Sequence, residues 1–327
     1  MPGPSIVLTP HLRQDDQFLY YRGEIVATVI SYGPVCYVSS AGDDGKAVKG
    51  RADRPFKTLA GAYAEAVPGD CIQVVGGTYN EGNISATDKA AGIIFVQLAG
   101  GARVVATSWT INGAHLYVGG DGTATLAVAS LKGSGDIRIT ALREVNGYIA
   151  SGGLAEITRT MLVQGFVKGV AGTYFWQVDT YRQLATYQNE NYSGRITARQ
   201  VNLFECYTLS RPGAVVQVGF TGCRVRALAP LLTDCTGKDN FFVDTAFKMV
   251  NGSRLVDDQT NLEKRILYFF QCRIDSMTAP SLFKLAAPQD LSMSFSLYTA
   301  PAILDGPVSF SPTLNAIVQD TTYVLPL

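Results

Sequence analysis

Charge is scarce in this sequence. Asp, Glu, Lys and Arg supply 17% of the 327 residues, against roughly 25% in an ordinary soluble domain. The 27 basic and 27 acidic side chains cancel, and no basic run occurs. A phosphate-neutralising track is therefore missing, and nucleic acid is not an expected partner. Histidine is rarer still. His11 and His115 stand alone, so no Ser/His/Asp set can be assembled, and no GxSxG elbow is present. The six cysteines (Cys36, Cys71, Cys206, Cys223, Cys235, Cys272) include no CxxC pair. They are expected to be reduced and packed, with no metal and no cofactor. No apolar run approaches the ~20 residues that span a bilayer, so membrane insertion is not expected. The opening MPGPSIVLTPHLRQ has neither a charged leader nor a long apolar stretch, which predicts synthesis in a cytoplasm rather than secretion.

Apolar residues, by contrast, reach 47%, enough for a large core. With so little charge to wet the surface, part of it is expected to be covered by partner subunits. Glycine is unevenly spread, and most of the 33 glycines lie before position 173. They punctuate short β-rich runs such as CIQVV, GIIFVQL, ATLAVASL and DIRITAL at intervals of roughly 15–25 residues, the pattern of a solenoid of stacked coils. Glycine supplies the positive φ angles that corners demand. Strand alternation then turns Ile137, Ile139 and Ala141 inward and Arg138 and Thr140 outward. A sandwich produces similar runs, and periodicity alone does not separate the two.

The fold class expected is all-β: a parallel β-helix with an N-terminal capping helix and a glycine-poor, β-rich C-terminal part. Three regions follow. Residues 1–34 form an irregular arm or attachment segment, with one strand in EIVATVI. Residues 35–172 form the capped solenoid. Residues 173–327 continue the β-helix or form a sandwich-like region that serves oligomerisation. LSMSFSLY alternates cleanly there, whereas RILYFFQCRI is apolar on both faces and predicts packing against another sheet or subunit.

The densest local signal is YVSSAGDDGKAVKGRADRPFKTLAGAYAEAVPGDCIQVVGGTYNE, from Tyr37 to Glu81. Leu59, Ala62, Tyr63 and Ala66 share one helical face, Pro55 precedes the helix, and Pro68-Gly69 ends it. A helix across the first coil hides backbone groups and apolar side chains. In its order (Tyr37, Val38, Ser39, Gly42, Asp44, Gly45, Pro55 to Leu59, Ala64, Ala66, Pro68 to Asp70, Ile72, Val74, Gly76, Gly77, Tyr79, Glu81) the segment resembles the amino-terminal signature of pectate-lyase-like, right-handed β-helix proteins. These include bacteriophage tailspikes and fibres as well as polysaccharide-degrading enzymes. The resemblance implies the fold and says little about chemistry, because it describes a cap.

Glycosidases of that type need two carboxylates on neighbouring coils. The candidates are Asp179, Glu190, Glu205, Asp234, Asp239 and Asp244, which recur at no single spacing. The Asn-Thr-Asp, Asp-Asp, Gly-His-Gly and Arg-Ile-Lys signatures are absent as a set. Asp43, Asp44 and Asp53 lack calcium-loop spacing and read as turn residues. The aromatics Trp176, Tyr181, Tyr187 and Tyr192 are candidates for carbohydrate contact, with core or interface packing as the alternative. The resemblance thus implies a structural or adhesive component of a bacteriophage virion: a tail or head spike, fibre or decoration protein. Such a subunit is expected to be homotrimeric, joined to other virion proteins through its N-terminal segment, and in contact with host surface polysaccharide. The alternative is a polysaccharide depolymerase on the same scaffold.

Overall fold

A computed structural model of the chain describes residues 33–85, 90–192, 194–209, 216–233, 240–250, 253–257 and 266–275, and only the backbone strands or single short segments before residue 29 and after residue 282. The fold is a parallel β-solenoid. It divides into two compact units, residues 1–146 with 150–152 and residues 147–149 with 153–327. Among the described residues, no helix is long and apolar enough to cross a membrane.

The first unit opens with a four-stranded antiparallel sheet: Ile6–Thr9, Leu12–Gln14, Phe18–Tyr21 and Glu24–Thr28. The sequence pattern suggests a single strand there. Runs this short do not show alternation, and only turn pairing between neighbours makes them a sheet. The coils follow. One face stacks Val35–Val38, Cys71–Val75, Ile93–Ala99, His115–Gly120 and Ile137–Thr140 in parallel, and the other stacks Thr78–Ser85, Arg103–Ile111 and Thr125–Gly133. Register aligns Ile72, Val96, Val118 and Ile139 in one buried column, and Ile84, Trp109 and Leu131 in another. Such columns are how coils that cannot bury an apolar face alone become stable.

The segment from Tyr37 to Glu81 is explained residue by residue. The helix Leu59–Glu65 buries Leu59, Ala62 and Tyr63, and Tyr63 meets Trp109 edge-on at 5.7 Å. Its first N–H groups are all satisfied from outside. Glu81 accepts from Leu59 (2.7 Å) and Ala60 (3.3 Å), and the Thr58 hydroxyl accepts from Gly61 at 2.9 Å. Asp44 accepts from the backbone N–H of Lys57 and Thr58 and from the Thr58 hydroxyl. Asp70 accepts from the Val67 N–H at 2.6 Å and pairs with Lys49. Asp43 and Asp53 bind Lys46 and Arg51. These acids hold the loops and the helix start.

In the second unit one face stacks Leu154–Thr158, Gly172–Trp176, Gly194–Arg199, Val216–Thr221, Asn240–Val243 and Ile266–Phe270. The other stacks Leu162–Gly169, Thr180–Gln183, Leu203–Cys206, Arg224–Ala227, Ala246–Met249 and Arg273–Asp275. The coils vary in length: Leu154 pairs with Gly172, whereas the coil that pairs Asn240 with Leu267 is half as long again. Parallel pairing runs straight through residue 173, since Thr173 pairs with both Ala155 and Ile196. The core is an aromatic stack. Tyr181 and Phe204 lie 4.6 Å apart, Phe204 and Phe220 5.0 Å, Phe220 and Phe242 6.0 Å, and Phe242 and Phe269 4.9 Å, all fully buried. Rings at these separations add to the burial they already provide.

The corner between the two faces explains how coils continue where glycine thins out. Arg159, Gln177, Gln200, Gly222, Asp244 and Gln271 all hold φ between 47° and 62°. The N–H of each of Arg159, Gln177, Gln200, Gly222 and Asp244 donates to the carbonyl just before the next corner, as from Gln177 to Arg199 at 3.0 Å. The following residue always turns inward: Thr160, Val178, Val201, Cys223, Thr245 and Cys272 are all buried. Ala141 occupies the same conformation in the first unit (φ 55°). This corrects the expected alternation of DIRITAL, because the left-handed residue resets the phase and Leu142, not Ala141, enters the core. Cys36, Cys71, Cys206, Cys223 and Cys272 are free and buried; Cys235 lies outside the described residues.

RILYFFQCRI resolves into Leu267 and Phe269 inside and Tyr268 and Phe270 half-buried on the outer face. Tyr268 adjoins Phe241 at 6.1 Å. The strand Asp290–Thr299 that contains LSMSFSLY sets Leu291 and Met293 in register with Leu267 and Phe269; its side chains lie outside the described residues.

Candidate functional site

The corner row builds the site in the second unit. Side chains project outward from Gln200, Asp244 and Gln271, but Gly222 contributes none, and the nearest atoms to a Cβ there would be those of Gln200 at 3.9 Å. The next outward position down the stack carries Arg224, Ala246 and Arg273 in register. A missing side chain at the corner and a small one beside it leave an open notch of about 360 Å³, with Asn202, Arg224, Asp244 and Arg273 on its rim. All four are exposed. Neither guanidinium forms an ion pair with an acid among the described residues, whereas Asn202 donates to Asp179 at 2.7 Å.

Of the six candidate carboxylates, only Asp244 lies in this notch. Asp179 sits on the coil corner before it, exposed, accepting from Asn202 and the Thr180 hydroxyl. Glu190 accepts from Lys168 at 3.2 Å and the Tyr148 hydroxyl at 3.3 Å. Burial works against the Lys168 charge, but Tyr148 and Glu190 outweigh it and hold the ammonium above the ordinary lysine value. Glu205 is buried between Arg182 (3.0 Å) and Arg226 (2.9 Å), its neighbours in register on the coils before and after. Both its oxygens are engaged, so it is a rung of a charge ladder. Asp234 and Asp239 lie outside the described residues. The structure joins no two of the other four into an acid–base pair, and no cluster of three metal-ligating side chains occurs among the described residues.

The aromatic candidates divide. Tyr181 and Tyr192 are corrected: both are fully buried, with their hydroxyls 2.8 Å apart. Their rings face Phe175, Phe204 and Phe166, so no ring face is open for a sugar, and burial raises both phenols. Sequence proximity grouped them with surface residues because strand parity is reset at each corner. Trp176 and Tyr187 keep partial exposure. Arg159 lies over Trp176 at 5.6 Å, and Tyr187 tilts against Tyr148 at 5.6 Å. His115 accepts the Asp136 N–H through Nδ1 at 2.9 Å; His11 lies outside the described residues.

Arg224 and Arg273 were not candidates from sequence. They stand far apart along the chain, and only the register through Ala246 aligns them. The shared phrases Gly222-Cys223-Arg224 and Gln271-Cys272-Arg273 are the one sequence signal that marks the pair.

Fold and notch together define a class: a parallel β-solenoid with a polar notch on a coil corner. No family model, no curated protein and no solved structure matches the chain.

Proposed function

We propose that this chain is an adhesive structural subunit of a bacteriophage particle, a spike, fibre or decoration protein that contacts surface glycans of the host. The observation that carries the reading is the solenoid with an exposed polar notch that holds Asp244, while Asp179, Glu190 and Glu205 are each tied to their own neighbours elsewhere. Such a surface can bind sugar hydroxyls, and among the described residues no two of these carboxylates form the pair that hydrolysis needs. The virion assignment is supported by the resemblance of Tyr37 to Glu81 to pectate-lyase-like spikes and by the low charge of the chain. Its subunits associate as a homotrimer, with residues 1–34 joined to other particle proteins. Detection of the chain in purified particles, with a trimeric mass in solution, tests this; a compact monomer at micromolar concentration and absence from particles would refute it.

A second reading, a depolymerase, is favoured by one feature: the exposed Asp244 carboxylate in the notch. Release of reducing ends or unsaturated uronates from capsule or O-antigen polysaccharide would promote it, and an Asp244→Asn variant must then be inactive.

A further inference from the structure

The rim of the notch has a chemical bias. Arg224 and Arg273 occupy equivalent positions two coils apart, which sets their backbones about 9–10 Å from each other. Ala246 between them leaves the gap open. Lys248, exposed on the same strand as Ala246, stands in register between Arg226 and Asp275 and so adds no net charge bias of its own. The planar fork of an arginine matches a carboxylate through two parallel hydrogen bonds, and these bonds are charge-assisted, about twice as strong as those to a neutral hydroxyl. Asp244 and Asn202 supply an acceptor and an amide suited to hydroxyl groups.

We propose that the notch selects acidic polysaccharide, with carboxylates of one chain held by Arg224 and Arg273 while its hydroxyls meet Asp244 and Asn202. The assignment rests on the glycan-contact reading above and adds the class of glycan. Nucleic acid fits less well. Its closely spaced phosphates need a long cationic track, and the Asp244 carboxylate stands among these cations.

The test uses the full chain and four kinds of probe: hyaluronate and alginate, their carboxyl-reduced forms, dextran, and a single-stranded oligonucleotide. Binding is measured at about 0.15 M salt, where loose charge attraction is screened. The expected result is binding of an acidic polymer, loss on carboxyl reduction, and weakening of about tenfold or more in R224A/R273A at an unchanged thermal midpoint. R224K/R273K should recover only part of the loss, since lysine is a point charge without the fork. Equal binding of acidic and carboxyl-reduced polymers, or full binding by R224A/R273A, overturns the acid selection and leaves glycan adhesion standing. Absence of binding to every polysaccharide removes both, and tighter binding of the oligonucleotide replaces them with a nucleic-acid site.

Discussion

Gly165→Ala should damage the second unit far more than Gly222→Ala, although both glycines have positive φ. At Gly222 (φ 62°) a Cβ would stand 3.9 Å from its nearest neighbours, and Gln200 and Asp244 already hold the same conformation beside it. Only the left-handed penalty remains, about 1 kcal/mol. At Gly165 (φ 138°) the Cβ would fall 1.9 Å from the Gly147 carbonyl oxygen and 2.7 Å from its carbon. Those are backbone atoms of the same unit, so no side-chain rotation relieves the overlap. Backbone strain of about 1–3 kcal/mol adds to overpacking of about 1–3 kcal/mol. The total, about 2–6 kcal/mol, corresponds to a fall in thermal midpoint of roughly 4–24 °C for a unit of this size. Urea unfolding of both variants followed by circular dichroism reads the difference directly. Equal losses in the two variants would refute the close approach of residues 165 and 147.

Phe242→Ala opens the aromatic stack where Phe220, Phe247 and Phe269 converge; a loss of about 3–5 kcal/mol is expected in denaturant unfolding, and a loss under about 1 kcal/mol contradicts the packing. Glu205→Gln removes the charge between Arg182 and Arg226. Because both arginines are about half exposed, screening limits the expected cost to about 1 kcal/mol, and polysaccharide binding at the notch should be unaffected. Gly222→Gln fills the gap in the corner row, so acidic-glycan binding should fall with at most a small change in stability; retained binding would show that the notch is not the site. Burial pushes Cys36 up to about 11, with Asp70 adding to the effect, and burial likewise pushes Cys272 to about 11, from an ordinary 9.0. Raised folded-state values mean that this stabilisation is complete below pH 9 and lost as pH climbs towards 11. Thermal midpoints should therefore decline over that window, and native thiols should resist alkylation at about pH 8 until the chain unfolds.

What the sequence determined by itself was local. Short alternating runs separated by turn residues sufficed for strands, because period-2 burial is written into neighbouring residues, but left a solenoid and a sandwich equally open on periodicity alone. The helix at Leu59 and its ends at Pro55 and Pro68-Gly69 were legible for the same reason, because turns have strong residue preferences, whereas the support of its first turn by Asp44 and Glu81 comes from residues 13–22 positions away and only the structure showed it. Corners were legible only where glycine marked them. Arg159, Gln177 and Gln200 adopt the same conformation with residues whose identity carries little signal for it, so the coils past residue 173 showed their strands but hid most of their turns. The aromatic stack and the notch were decided by tertiary structure alone. Coils as unequal as Leu154 to Gly172 and Asn240 to Leu267 share no fixed period, and only their pairing shows that Tyr181 faces Phe204, or that Arg224 and Arg273 flank Ala246. Register is set by what each coil finds in the one before it, and that contact has no fixed distance along the chain.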